Sequence, residues 1–291
     1  MLSHQASLQA SPTRSSPVLS KSHINRLSSF VKQQTGIELG EQKREMILSR
    51  LYKRLHVLGE SNIGSYLDKA LDARSSECAT LLDIITTNKT AFFREEPHFE
   101  FLNNKALPDL KARMSSDRNL RCWSAACSSG EEPYSLLMAL LESPHCRHFK
   151  IADILATDIS DGILKKAMAG VYTQQQLTGV SSTLRDRYFL QHKTSSGMWR
   201  IQPAIRRKIA FRRFNLVQNH YAFTFGFDII FCRNVMIYFD TNTRDQVIRG
   251  LTKSLRAGGY LFISHSESIN VSSHSELRAV APSVYQKAEP L

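Results

Sequence analysis

Three carboxylates and an arginine stand where they could act on a ligand. Glu131 and Glu132 follow the small flexible turn Ser128-Ser129-Gly130, which itself follows a short apolar run from Cys122 to Cys127. Pro133 comes next, then an apolar helical pattern from Leu136 to Leu141. The order reads as strand, turn and helix, with proline in the first helical turn, where its missing N–H costs nothing. Such junctions, at the carboxyl end of a parallel strand, are where open α/β sheets hold ligands. A phosphate cradle needs bare N–H groups and positive potential, whereas two carboxylates at a helix start repel an anion. The pocket therefore suits a ligand presenting hydroxyls, an amine or a positive centre. Asp158 ends the next strand-like run, where doubly wound sheets place the acid that accepts ribose hydroxyls; the plainer reading is a cap on the following helix. Arg94 lies beside Phe92 and Phe93, with Asn88 and Thr90 just before them. A cation held among aromatics fits carboxylate recognition.

A second group of charges has a different character. Across residues 41–58 the residues Ile47, Leu48, Leu51, Leu55 and Leu58 fall in one sector of a helical wheel. Lys43, Arg50, Lys53 and Arg54 fill the adjacent sector with no acid among them, which fits either a solvated face or a docking surface for an acidic helix. The chain's net charge of +12 points the same way, toward nucleic acid, an anionic membrane surface or a glutamate-rich protein. Nothing resembles a Ser/His/Asp or Cys/His constellation. The five cysteines form no CxxC pair and read as buried thiols.

The elements that must position these groups fall into three parts. Residues 1–22 are Ser-rich, with two prolines and no apolar periodicity, and read as a disordered leader. Residues 23–88 carry four short helical patterns, a small helical domain. From residue 89 to 291 strands alternate with helices. Strands are expected at 121–127, 150–158, 227–232 and 260–264, and helices at 133–142, 161–169 and 243–257, the last stopped by Gly258-Gly259. That rhythm implies an α/β fold, a doubly wound, mostly parallel sheet with right-handed crossovers. It breaks between about 173 and 214. There, runs at 197–201 and 209–214, joined through Pro203, read as a small antiparallel insertion with a basic face (Arg200, Arg206, Arg207, Lys208, Arg212, Arg213). An exposed edge strand there could capture an extended peptide. No run approaches the length of a membrane span.

Together these stretches resemble a known family. TNKTAFFRE, SAACSSGEEPYS, ATDIS, FNL, FDIIFCRNVMIYFD and GGYLFISHSES occur in the order found in the bacterial chemoreceptor glutamate O-methyltransferases, over residues 24–285. The resemblance implies a Rossmann-like enzyme that uses S-adenosylmethionine and no metal, leaves S-adenosylhomocysteine, and esterifies glutamates on cytoplasmic receptor helices during chemotactic adaptation. It implies a monomeric, cytoplasmic protein that neither enters the membrane nor binds nucleic acid. Asn88, Thr90 and Arg94 match the family's cofactor-contacting loop; Glu132 and Asp158 match its strand-end acids. Asn215 and Leu216 would flank the adenine, Arg233 and Asn234 follow the next strand, and Tyr238 matches a tyrosine close to the transferred methyl. The helix with Arg50 and Arg54 resembles the receptor-docking element, and the insertion resembles a β-subdomain that in some members holds a receptor's C-terminal peptide. Here its loop reads HKTSSG, with a single glycine, a departure that weakens that expectation.

A glutamate carboxylate, with an unperturbed pKa of about 4.3, is already a nucleophile at neutral pH, so the lack of a general base is consistent with such an enzyme. Arg94 could position the carboxylate of either the cofactor or the substrate; Tyr238 could orient either the nucleophile or the sulfonium. Two rivals stand beside this reading. A base-modifying methyltransferase would carry an Asn/Asp-Pro-Pro-aromatic motif where this chain has CRNVMIYF. A non-catalytic adaptor would not need the full set Arg94, Glu132, Asp158, Asn234 and Tyr238.

Overall fold

The computed structural model describes residues 19–40, 43–86, 88–115, 118–151, 153–191 and 197–289. Most of the leader and most of the HKTSSG loop lie outside these residues.

Four helices form the N-terminal unit: α1 (Lys21–Thr35), α2 (Arg44–Leu58), α3 (Ile63–Ala70) and α4 (Ser76–Ile85). α1 begins earlier than expected, because Ser20 accepts from the His23 N–H and sets the first turn inside the stretch assigned to the leader. The helices bury Leu27, Val31, Leu51, Leu55, Leu67 and Leu81 in a core of their own.

After α5 (Glu96–Phe101) and α6 (Leu107–Arg113) the α/β alternation runs through β1 (Asn119–Leu120), β2 (Cys122–Ala125), α7 (Glu131–Glu142), β3 (Lys150–Ile151), β4 (Ile154–Asp158) and α8 (Asp161–Ala169). β5 (Val171–Thr173), α9 (Ser182–Tyr188), β6 (Phe189–Gln191), β7 (Met198–Ile201), α10 (Pro203–Arg206), β8 (Ile209–Arg213) and β9 (Phe227–Cys232) follow. The chain closes with α11 (Thr241–Ser254), β10 (Leu255–Phe262), β11 (Leu277–Ala281) and β12 (Val284–Lys287). The main sheet has the order β11-β12-β10-β9-β2-β4-β8, parallel from β10 to β8 and closed at one edge by the antiparallel pair β11 and β12. β2 and β9 are buried along their whole lengths, as expected of strands covered on both faces. One face packs under α5, α6 and α7; the other carries α11 and an aromatic cluster in which Trp123 contacts Phe214, Tyr221, Phe223 and Phe227.

Two expectations change. The antiparallel insertion is a three-stranded sheet of β5, β7 and β6 within residues 171–201. β8, read as its last strand, belongs to the main sheet, parallel to β4, so Arg212 and Arg213 lie on the large sheet's edge. Gly258-Gly259 also does not stop α11. The helix ends at Ser254, and β10 runs through both glycines, with Gly258 at φ 71 and a register shift against β9. Pairing with β9 outweighs the local helical pattern of residues 255–257.

Candidate cofactor and methyl-transfer site

One cavity opens at the carboxyl ends of β2, β4 and β9. Asn88, Thr90, Arg94, Glu132, Asp158, Asn215, Leu216, Arg233, Asn234 and Tyr238 all line it, joined by Thr35, Ile37, Leu39 and Lys43 from the helical unit.

Its floor is the turn after β2. Ala126 and Ser128 have φ of 63 and 50, a region costly for residues with a side chain. The Asp158 carboxylate holds Ser128 there, accepting from its N–H at 2.9 Å, and also accepts from the Ser160 N–H at 3.1 Å. Asp158 is 8% exposed; burial pushes its carboxyl upward, and the N–H groups pull the other way. Gly130, at φ 97, does not face the cavity. A Cβ there would meet the Ala167 Cβ and the Tyr172 hydroxyl at 3.0 Å, so the glycine serves the packing of α7 on α8 and β5.

Only one of the paired glutamates reaches the ligand space. Glu131 turns away, buried, accepting from the Ser129 hydroxyl at 2.6 Å and the Gln176 amide at 3.3 Å. Glu132 faces inward, accepting from the Ser124 hydroxyl at 2.7 Å. Arg233, its side chain 1% exposed, stands between Glu132 at 3.5 Å and Glu95 at 3.4 Å, and also donates to the Arg94 carbonyl. Burial pushes the Glu132 carboxyl up, and the Arg233 guanidinium opposes this. Arg94 acts on Glu132 in the same sense, so this end of the cavity holds carboxylates and guanidinium groups together.

The walls are tied back into the protein. Asn234, at φ 59, donates its amide to the Ser264 hydroxyl at 2.6 Å and to Glu95 at 3.1 Å. Glu267, buried and missed in the sequence reading, accepts the N–H groups of Ser264, Asn234 and Ile237 and fixes the turn that carries Tyr238. Its signal was a lone acid just past an apolar strand. Asn215 donates to the Gln34 carbonyl at 2.9 Å and accepts from the Val217 N–H. Arg94 donates to the Lys89 carbonyl at 2.9 Å, closing its own loop, while Phe92 packs edge-on against Tyr172 and Phe189. A carbonyl thus steadies the arginine, in place of the aromatic support expected.

The helical unit roofs the cavity. Ile37 bridges to Phe239, Glu38 donates its N–H to the Tyr238 carbonyl at 2.8 Å, and Lys32 pairs with Asp240 at 2.8 Å. The cationic face of α2 divides accordingly. Lys43 places its ammonium 4.0 Å from the centre of the Tyr238 ring, inside the cavity. Arg50 donates to the carbonyls of Ile84, Ile85 and Thr86, capping α4, and Arg54 donates to Glu77 at 3.0 Å. A single-helix wheel could not show Glu77, which α4 supplies. Lys53 stays exposed. Arg50, Lys53 and Arg54 border a second groove of about 1030 Å³ that runs past Lys89 and Lys166 to Tyr172, Gln176 and Met198.

A parallel sheet with an acid at the end of β4, a glycine turn before α7 and a cavity at the strands' carboxyl ends that carries both carboxylates and an arginine defines an α/β methyltransferase that binds a sulfonium nucleoside. The donor set fits S-adenosylmethionine: acids for hydroxyls and amine, an arginine for a carboxylate, and Phe214 and Leu216 as apolar walls. Residues 88–285 match the family described as CheR methyltransferase, SAM binding domain, and residues 22–86 match CheR methyltransferase, all-alpha domain. The chain belongs to the CheR methyltransferase family. Its relatives include the chemotaxis protein methyltransferase of Borreliella burgdorferi, 38% identical over 274 residues, spanning 92% of this chain and 95% of the relative. That of Klebsiella aerogenes is 38% identical, spanning 87% and 85%, and that of Escherichia coli is 37% identical, spanning 89% and 88%. Among the described residues no helix is long and apolar enough to cross a membrane.

Proposed function

We propose that this protein transfers the methyl group of S-adenosylmethionine to glutamate side chains on the cytoplasmic helices of chemotaxis receptors, forming glutamate methyl esters in sensory adaptation. The observation that carries this reading is the convergence of ten polar and apolar residues from distant parts of a CheR-family chain on one cavity. When bound, S-adenosylmethionine supplies a methyl carbon made electrophilic by the sulfonium. Asp158 accepts the ribose hydroxyls, Asn215 and Leu216 flank the adenine, and Glu132 and Arg94 take the amine and carboxylate of the methionyl part. Arg233 and Asn234 hold that wall in place. Tyr238, at the mouth, orients the incoming carboxylate.

No proton leaves the nucleophile, because a glutamate is ionised at neutral pH. Orientation is then the enzyme's main contribution, worth roughly 7–11 kcal/mol at best. The groove bordered by Arg50, Lys53 and Arg54 receives the acidic receptor helix, with Lys53, Lys89 and Lys166 as its exposed cations. The protein works as a monomer in the cytoplasm, and the β5–β7–β6 sheet offers an edge to a receptor's C-terminal peptide.

Incubation with labelled S-adenosylmethionine, receptor-bearing membranes and, separately, DNA and RNA tests the reading. Label entering the receptors alone is expected. Label entering nucleic acid, with none in the receptors, overturns it.

A further inference from the structure

Resting on the reading of glutamate esterification, we infer that Lys43 is a substrate-orienting residue that binds the glutamate carboxylate at the mouth of the cavity. α2 begins directly after Lys43, and the side chain turns into the cavity over Tyr238, away from the groove that Arg50, Lys53 and Arg54 border. Among the described residues no carboxylate lies within ion-pairing distance of it. Arg233 is paired with Glu95 and Glu132, and Lys32 with Glu38 and Asp240. Arg94, tied to the Lys89 carbonyl, is the cation proposed for the cofactor's carboxylate, and Lys89 is exposed.

A half-buried ammonium with only an aromatic face beneath it leaves donors open toward the cavity. Burial and the neighbouring Arg50 both push Lys43 below the usual lysine range, and an anion beside it would oppose that shift. Glu132 and Asp158 also line the cavity and repel a second carboxylate from their own surroundings. A glutamate therefore enters at the Lys43 end. One of its oxygens accepts from Lys43 while the other attacks. The new bond is O–CH3, the bond that breaks is S–CH3, its electron pair stays on sulfur, and no proton moves.

The test uses the full chain with S-adenosylhomocysteine bound and a helical receptor peptide carrying one glutamate, or glutamine at the same position. Wild type should bind the glutamate peptide about tenfold more tightly than the glutamine peptide. Lys43→Met should bind both alike, Lys43→Arg should restore the preference, and calorimetric cofactor affinity should be unchanged in all three. A wild type without preference, a K43M variant that keeps it, or one that loses cofactor affinity instead overturns the inference. A wild type that prefers the glutamate peptide but esterifies no receptor leaves Lys43 as the carboxylate site and sinks the proposed reaction.

Discussion

Asp158 both shapes the floor of the cavity, through the Ser128 and Ser160 N–H groups, and offers charge to a ligand. Asp158→Asn keeps one acceptor oxygen and removes the charge. S-adenosylmethionine affinity should fall by the worth of one charge-assisted hydrogen bond, roughly 1.5–3 kcal/mol; unchanged calorimetric affinity would contradict the ribose assignment. His98 gives a pH signature. Its side chain is 1% exposed, and burial, then Arg233, push it down to about 4, against the pull of Glu95. Between pH 6.5 and 4 the unfolded chain takes up a proton that the folded one does not. Stability is therefore full above pH 6.5 and falls as pH drops toward 4, by on the order of 3 kcal/mol. His98→Phe should flatten that window in denaturation midpoints against pH, and an unchanged slope would show that other groups carry it. At this scale the chemistry was largely legible, since acids, amides and the arginine announce themselves by type. What a side chain faces was less so: Glu131 and Glu132 are adjacent, and the 100° step between them sends one into the protein and one into the cavity.

Elements decide which of these groups meet. Gly130→Ala places a methyl group against Ala167 and Tyr172 on a backbone at φ 97, and α7 has to shift. A loss of about 1–3 kcal/mol in stability is expected from denaturant titration; a neutral result would mean that α8 yields freely. On α2 the four cations are not equivalent. Arg50→Glu and Arg54→Glu would damage the caps and ion pairs that hold α4, so either could lose activity for structural reasons. Lys53→Glu touches only the exposed face of the groove. It should raise KM for receptors several-fold, steeply at low salt, with cofactor affinity unchanged. An unaltered KM would remove the groove as the docking surface. The strand and helix order was readable from periodicity, but the side on which β8 pairs was not. Its sequence fits an antiparallel insertion and a parallel edge alike, and only the backbone partners offered by β4 select between them. The same limit hid the continuation of β10 through Gly258.

At the scale of the whole molecule, the helical unit is a wall of the site as well as the proposed docking module. Asn215 reaches the end of α1, Glu38 meets Tyr238, and Lys43 stands over the same tyrosine. None of this was visible in the sequence, because the paired positions are some two hundred residues apart. In the proposed reading, the surface that meets the receptor and the cavity that holds the methyl donor then share α2. The central claim is that the product is an ester on a glutamate. Receptors methylated with labelled S-adenosylmethionine should release the label as volatile methanol under mild alkali, and the glutamate-to-alanine receptor should take up none. Label that stays on the protein in alkali would mean that the methyl group sits on nitrogen or sulfur, and would contradict the account.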